Sequence, residues 1–411
     1  MSASLTAPGQ VLAPFRYPAF RAIWIANLVS NIGSMIQSTG AAWLMTDLSR
    51  SHQLVALVQA SVTIPVLLLG VFAGAIADNF DRRKVMLVAQ AGMLAASALL
   101  ALLTWAGAIG PLQLLGLTFL VGAGTALNGP AWQASVRMQV GPGDLSQAIS
   151  INTIAFNLAR SVGPALGGLL ISLTSPALAF ALNALSFVAL IVVLLRWRPE
   201  VPPPRRQPML ASIGAGLAFC ASSQPVRRVL LRGLVFGFGA AAVQALLPLV
   251  VRERLGGSEV DFGLVLGAFG LGSIVTALWV APARRRWGSE AVVGAATVIF
   301  GLSSLPLAFA QSLELALACT FIAGGGWVAT LTSLNVAMQL RSPEDILGRC
   351  LSIYQAVTFG GMALGAWCGG LVSDLAGLPA AILGATALLL LSLPLLRRFA
   401  PMPRRDEGRL S

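Results

Sequence analysis

The sequence predicts an all-α polytopic membrane protein: twelve transmembrane helices arranged as two parallel six-helix repeats. Three observations predict it. The composition is too apolar for a soluble core, the basic residues fall almost entirely on alternate sides of the apolar runs, and the second half of the chain echoes the first.

The composition sets the solvent. The chain is 56% hydrophobic and 10% charged, with a mean hydropathy of +0.82. A soluble domain carries about 25% charged residues, so lipid must cover much of this surface. A bilayer-spanning helix takes roughly 20 mostly apolar residues, which leaves room for about a dozen spans with short loops. The runs fall at about 19–46, 53–77, 85–106, 112–136, 147–172, 176–196, 229–250, 261–281, 290–310, 314–339, 349–373 and 378–396. They predict an N-terminal segment 1–18, a first bundle 19–197, a linker 198–225, a second bundle 226–398 and a tail 399–411.

The net charge of +12 is a topology signal rather than a nucleic-acid footprint. Of the 27 Lys and Arg residues, 23 fall on the side of the N-terminus, Arg50, Arg252 and Arg254 fall on the other, and Arg160 lies within a span. The positive-inside rule therefore places both termini in the cytoplasm, with membrane lipid as a partner and nucleic acid excluded. Cys220, Cys319, Cys350 and Cys368 are scattered without metal-ligand spacing and read as small hydrophobes. One histidine, His52, beside a far-side loop, offers almost nothing for metal or proton-relay chemistry. No cleavable leader is expected, because the first apolar run is too long and lacks a small-residue cleavage site. Neither a cofactor nor a metal is expected.

Taken in order, span 1 places Asn27, Asn31, Ser34 and Ser38 on one helical face, a polar stripe expected to line a water-filled cavity. Between spans 2 and 3 lies Gly74–Lys84, GAIADNFDRRK, where five of the seven residues after Ala77 are charged. Span 4 is rich in glycine around Asn128, and Pro130, just before Trp132 and Gln133, is expected to interrupt its regularity near the cytoplasmic side. In span 5, Arg160 stands about halfway along. An intramembrane arginine is a functional candidate by default. Gly163 and Gly167 present a small face for close approach, and Pro164 deprives the Arg160 carbonyl of its helical donor. The linker is rich in proline and arginine, and its apolar end, 209–221, is too short to span and suits an interfacial helix.

The second half repeats the first at an offset of about 200. Pro142 and Asp144 match Pro343 and Asp345, Ser150-Ile151 matches Ser352-Ile353, and Gly163, Gly167 and Gly168 match Gly365, Gly369 and Gly370. An even number of spans per copy keeps both in one orientation. Two matched bundles with a site between them form the architecture of alternating access.

With these residues in hand, the chain resembles the major facilitator superfamily from about Phe15 to Arg398. Gly74, Asp78, Arg82 and Arg83 resemble its loop 2–3 signature, although Asn79 and Asp81 depart from it. Gly163, Pro164, Gly167 and Gly168 resemble the helix-5 signature of its drug-antiporter exporters. Asn128–Ala134 and Asn157–Arg160 resemble the branch that includes bacterial enterobactin exporters and related efflux proteins.

The resemblance implies a secondary active transporter that exports small amphipathic molecules across the bacterial cytoplasmic membrane, not an enzyme. It implies a cavity from spans 1, 4, 7 and 10, with Asn27, Asn31, Trp132, Gln244, Trp327 and Asn335 as candidate contacts. It also implies a conformational role for Gly74, Asp78, Arg82 and Arg83. Asp78 ends a helix whose dipole disfavours its charge, and the N-terminus of span 11 near Gly348–Arg349 would be its partner. The second copy of the loop keeps Arg284, Arg285 and Arg286 but has Ala281 in place of Asp78, which makes this latch one-sided. A coupling proton is expected, yet every Asp and Glu falls in a loop or near a span end. Asp47, Glu314 and Asp374 are the candidates. The expected unit is a monomer. Uptake by the same fold and a non-transporting sensor or assembly protein remain open as alternatives.

Overall fold

The computed structural model describes residues 12–198, 209–343 and 346–403, and the side chains of Asp78 and of residues 209–212 lie outside the description. Among the described residues it is all-helical, without a strand, and twelve helices are long and apolar enough to cross a membrane. They are Pro18–Leu48, His52–Ala77, Arg82–Trp105, Pro111–Met138, Pro142–Leu173, Pro176–Arg196, Gln224–Arg254, Glu259–Trp287, Ser289–Phe309, Leu313–Gln339, Leu347–Ala376 and Leu378–Phe399, hereafter spans 1 to 12. Odd-numbered spans start from the face that carries both chain ends, the terminal face; even-numbered spans start from the opposite face. Ring upon ring of Leu, Val, Phe and Trp stays exposed around the bundle, as a lipid-facing surface requires.

Short-range chemistry sets the helix ends. Proline occupies the first turn of spans 1, 4, 6 and 12, where its missing N–H costs nothing. Serine caps open spans 2, 6, 8 and 10, and Ser258 with Asp261 forms a full capping box on span 8. Gly288 and Gly377, at φ 84° and 87°, make left-handed exits from spans 8 and 11 that a side chain would strain. Asp81 explains its own departure from the loop signature: it caps span 3, accepting the Arg83 amide at 2.9 Å.

Two expectations change. The helix of span 4 runs on through Pro130 to Ser135 and turns 3-10 only at Val136–Met138, because a proline removes one donor without ending a helix that is otherwise supported. Span 7 starts at Gln224 rather than near 229, and Arg232, at the edge of the expected run 229–250 and counted with the terminal-side charges, is buried inside it, so Arg160 is not the one arginine within a span. Arg232 is buried there because Glu290 pairs with it at 2.6 Å and the carbonyls of Ala400 and Leu396 accept from it at 2.8 and 3.1 Å. Residues 199–208 of the expected linker 198–225 lie outside the described residues. Its end forms the short helix Met209–Ser222, which packs on spans 11, 7 and 2. There burial, with the neighbouring Cys350 thiol, pushes the Cys220 thiol up to about 12, so Cys220 stays neutral.

The packing pattern displays the repeat. Span 1 packs on spans 5 and 6, span 2 on span 4, and span 3 on spans 4 and 6. Shifted by six, span 7 packs on spans 11 and 12, span 8 on span 10, and span 9 on spans 10 and 12. The two sets meet chiefly along span 2 with span 11 and span 5 with span 8, which are the same contact under that shift. Small residues permit it. A methyl on Gly263 of span 8 would stand 2.6 Å from the Pro164 carbonyl, and one on Gly370 of span 11 would stand 2.6 Å from the Gln53 Cα.

Candidate functional site

Three places along the seam between the two helix sets carry chemistry. The first lies at mid-depth. Arg160 of span 5 points its guanidinium across the seam to 5.7 Å from the ring centres of both Phe269 of span 8 and Trp327 of span 10. Trp327 sits among Phe236 of span 7, Phe269 and Phe300 of span 9, with ring centres 5.9–6.3 Å away. Among the described residues Arg160 has no carboxylate partner, and its guanidinium lies over two ring faces.

The polar stripe of span 1 is half-buried, and the side chains of Asn27, Asn31, Ser34 and Ser38 make no hydrogen bond among the described residues. Polar glue between spans 1 and 6 comes instead from residues the sequence reading passed over. Asn183 donates to Gln37 Oε1 at 2.8 Å, and Ser186 donates to Asn183 Oδ1 at 3.1 Å, all buried. Of the other candidates, Trp132 packs against the apolar cluster of Ile23, Met86 and Leu190. Gln244 lies near the opposite-face end of span 7, and Asn335, which accepts from Gln339 at 2.7 Å, lies near the terminal-face end of span 10. Trp327 is thus the candidate that the fold brings to Arg160. The helix-5 glycines divide their work. Methyls on Gly163 and Gly167 would meet Met35 Cβ at 2.5 Å and Ile36 Cα at 3.1 Å on span 1, whereas Gly168 faces Glu259 and Gly263 of span 8.

The second place closes the seam at the opposite face, where a polar network joins the two helix sets beside an apolar cluster that they share. The Asp374 carboxylate, at the end of span 11, accepts the backbone amides of His52 at 2.6 Å and Gln53 at 3.1 Å and the Ser51 hydroxyl at 2.8 Å. One helix set thereby caps the N-terminus of a helix in the other, where dipole and orphan N–H groups favour an anion. His52 bridges Ser373 at 2.7 Å and Glu253 at 2.9 Å. Arg252 pairs with Asp47, bonds Thr46 at 2.5 Å and stacks on Trp43, while Trp43 donates to Glu259 at 2.9 Å. Sequence reasoning names Asp47 and Asp374 only as proton candidates and gives His52 no role, so their joining of the two halves is not read from it. Their signal was the presence of cations and carboxylates together at far-side loops in a chain this poor in charge.

The third place is the terminal face. Arg83 donates to the Leu194 and Leu195 carbonyls at 2.7 Å each and Arg82 to the Ala134 carbonyl at 3.2 Å, so both cations neutralise carbonyl ends of helices in their own half. Span 2 nears span 11 here: a methyl on Gly74 would lie 3.3 Å from the Ser352 hydroxyl. The expected contact between Asp78 and the start of span 11 rests on the Asp78 side chain, which lies outside the described residues. Nearby, Asp144 accepts from Arg16 at 2.5 Å and from Tyr17 at 2.9 Å, tying the chain start to the head of span 5, and these two partners hold the Arg16 guanidinium above its ordinary range.

Comparisons place this geometry among transporters. A family model described as transmembrane secretion effector matches residues 9–410. The multidrug efflux pump Tap of Mycobacterium tuberculosis is 26% identical over 96% of this chain and 97% of its own length. The enterobactin exporter EntS of Salmonella typhi is 28% identical over 94% of this chain and 95% of its own. A bacterial homologue of the human lysosomal transporter Spinster, solved inward-facing and unoccupied, superposes with a TM-score of 0.73 at 13% identity, covering 96% of this chain and 98% of that one.

Proposed function

The chain belongs to the transmembrane secretion effector family of the major facilitator superfamily, and from that premise we propose that it exports small amphipathic molecules across the bacterial cytoplasmic membrane, driven by a proton gradient. The terminal face, rich in Arg and Lys, is assigned to the cytoplasm, and the working unit is a monomer. Export is the direction of the similar proteins Tap, an efflux pump, and EntS, an enterobactin exporter.

The observation that carries the reading is the seam at the opposite face. Its polar contacts around Asp374, His52 and Arg252 are exchangeable, and beside them Leu44, Val55 and Ala56 of one set share an apolar cluster with Leu246, Leu249 and Ala366 of the other. Exposed ion pairs are worth about 0–1 kcal/mol each, so substrate binding can remake such a closure. In this reading Gly74, Asp78, Arg82 and Arg83 form the reciprocal latch at the cytoplasmic face, with Asp78 meeting the start of span 11. Gly163, Pro164, Gly167 and Gly168 let span 5 slide on spans 1 and 8. Asn27, Asn31, Trp132, Gln244, Trp327 and Asn335 border the path. Asp47 and Asp374 are the candidates for the coupling proton, because each joins the two halves and a proton would cancel the charge that its partners favour.

The test compares retention of metabolites and toxicants in cells with and without the gene, before and after a proton uncoupler. Retention should rise without the gene, and the uncoupler should abolish the difference. A difference that survives the uncoupler contradicts proton coupling, and no difference contradicts export.

A further inference from the structure

One positive charge stands at the centre of the seam without a negative one. Resting on the transport reading above, we propose that Arg160, with Trp327 and Phe269, binds the anionic group of the substrate, and that the substrate is an amphipathic aromatic anion carrying a carboxylate or sulfonate.

A guanidinium offers five N–H donors, and ring faces satisfy them poorly. Arg160 lies over two such faces and has no carboxylate partner among the described residues. The carboxylates described nearest the seam are engaged elsewhere: Glu259 with Trp43, Asp374 with span 2, Asp47 with Arg252 and Glu253 with His52, all at the opposite face. A second observation points to an incoming acceptor. The indole N–H of Trp327, on one of the rings that Arg160 covers, is buried and unpartnered in a residue only 5% exposed; the adjacent Ser161 hydroxyl is likewise unpartnered. A buried donor without an acceptor is costly, and a ligand oxygen held by Arg160 would remove that cost.

The surrounding rings of Phe236, Phe269, Phe300 and Trp327 supply an apolar wall for the rest of the molecule. The charge comes from one helix set and the wall from the other. A bound anion therefore bridges the halves and is released when they part. It also neutralises the site, so that the cargo passes the low-dielectric centre with its charge compensated.

The experiment titrates the purified full-length protein in detergent with three matched probes, 1-naphthylacetate, its methyl ester and 1-naphthylmethylammonium, by calorimetry. The carboxylate should bind at least tenfold more tightly than either of the others. Arg160→Gln should reduce it to the level of the ester while leaving the ester unchanged, and Arg160→Lys should keep a preference for the anion. Trp327→Phe should weaken the carboxylate several-fold. Thermal unfolding of each variant reports its folding. The proposal is overturned if the wild-type protein binds the ester or the amine as tightly as the carboxylate, or binds none of the three. A folded Arg160→Gln that keeps the preference overturns it equally. Anion binding without uptake into everted vesicles would sink the export reading and leave this site standing; uptake of neutral or cationic probes with no anion preference would do the reverse.

Discussion

Replacing Asp374 should open the face that it closes. The carboxylate accepts two backbone amides at the start of span 2 and the Ser51 hydroxyl, at 2.6, 3.1 and 2.8 Å. Losing an N-terminal cap costs about 0.5–2 kcal/mol, and the helix-dipole contribution of the charge is about 0.3–1 kcal/mol. Water replaces part of both at this exposed site, which leaves about 1–2 kcal/mol for Asp374→Ala. With tenfold per about 1.4 kcal/mol, the population open at this face should rise about 5- to 30-fold. Asp374→Asn keeps one acceptor oxygen and loses the charge, so it should fall between. Spin labels at Arg50→Cys and Arg254→Cys, both exposed and on opposite sides of the seam, report the distance distribution. Cys368, the one native cysteine that is not buried, is replaced by alanine in that background. The Asp374→Ala distribution should gain a longer component. An unchanged distribution in a folded variant would refute the claim that this carboxylate holds the face shut.

Other substitutions probe separate contacts. Asp78→Asn should impair transport while membrane insertion, followed by fluorescence of a fused reporter, stays normal; full activity would remove the proposed latch at the terminal face. Gly263→Val places side-chain atoms against the Pro164 carbonyl, where overpacking costs about 1–3 kcal/mol, and should slow vesicle uptake without loss of protein from the membrane. Asn183→Leu strands Gln37 between spans 1 and 6 and should destabilise the fold by about 1 kcal/mol, read as a lower Tm in detergent with the transport direction unchanged. Cys220, whose thiol burial pushes up to about 12, stays protonated at every physiological pH. It should resist maleimide at pH 7.5 until the protein is denatured.

Hydropathy reveals twelve spans because each is a long uninterrupted bet on lipid, and the repeat survives as residue matches that the packing pattern reproduces. What hydropathy hides is pairing. Arg232, at the edge of the expected run 229–250, counts with the terminal-side charges, yet it is buried within span 7, because Glu290 and the end of span 12 stand beside it. Asp81 reads as a flaw in a signature until its capping bond to Arg83 is visible. Arg160 was conspicuous as a charge in an apolar run, but its aromatic neighbours Phe269 and Trp327 come from the other half. The closure at the opposite face was least legible of all. Its partners, such as Ser51 with Asp374 and Trp43 with Glu259, stand more than 200 residues apart and bear no pattern of spacing.

Proton-driven export is tested most directly in everted vesicles prepared with and without the protein and energised by respiration, using radiolabelled 1-naphthylacetate. The vesicles containing the protein should accumulate the probe above the control, and a proton uncoupler should release it. Equal accumulation in the two preparations, or accumulation that persists through the uncoupler, would contradict export driven by the proton gradient.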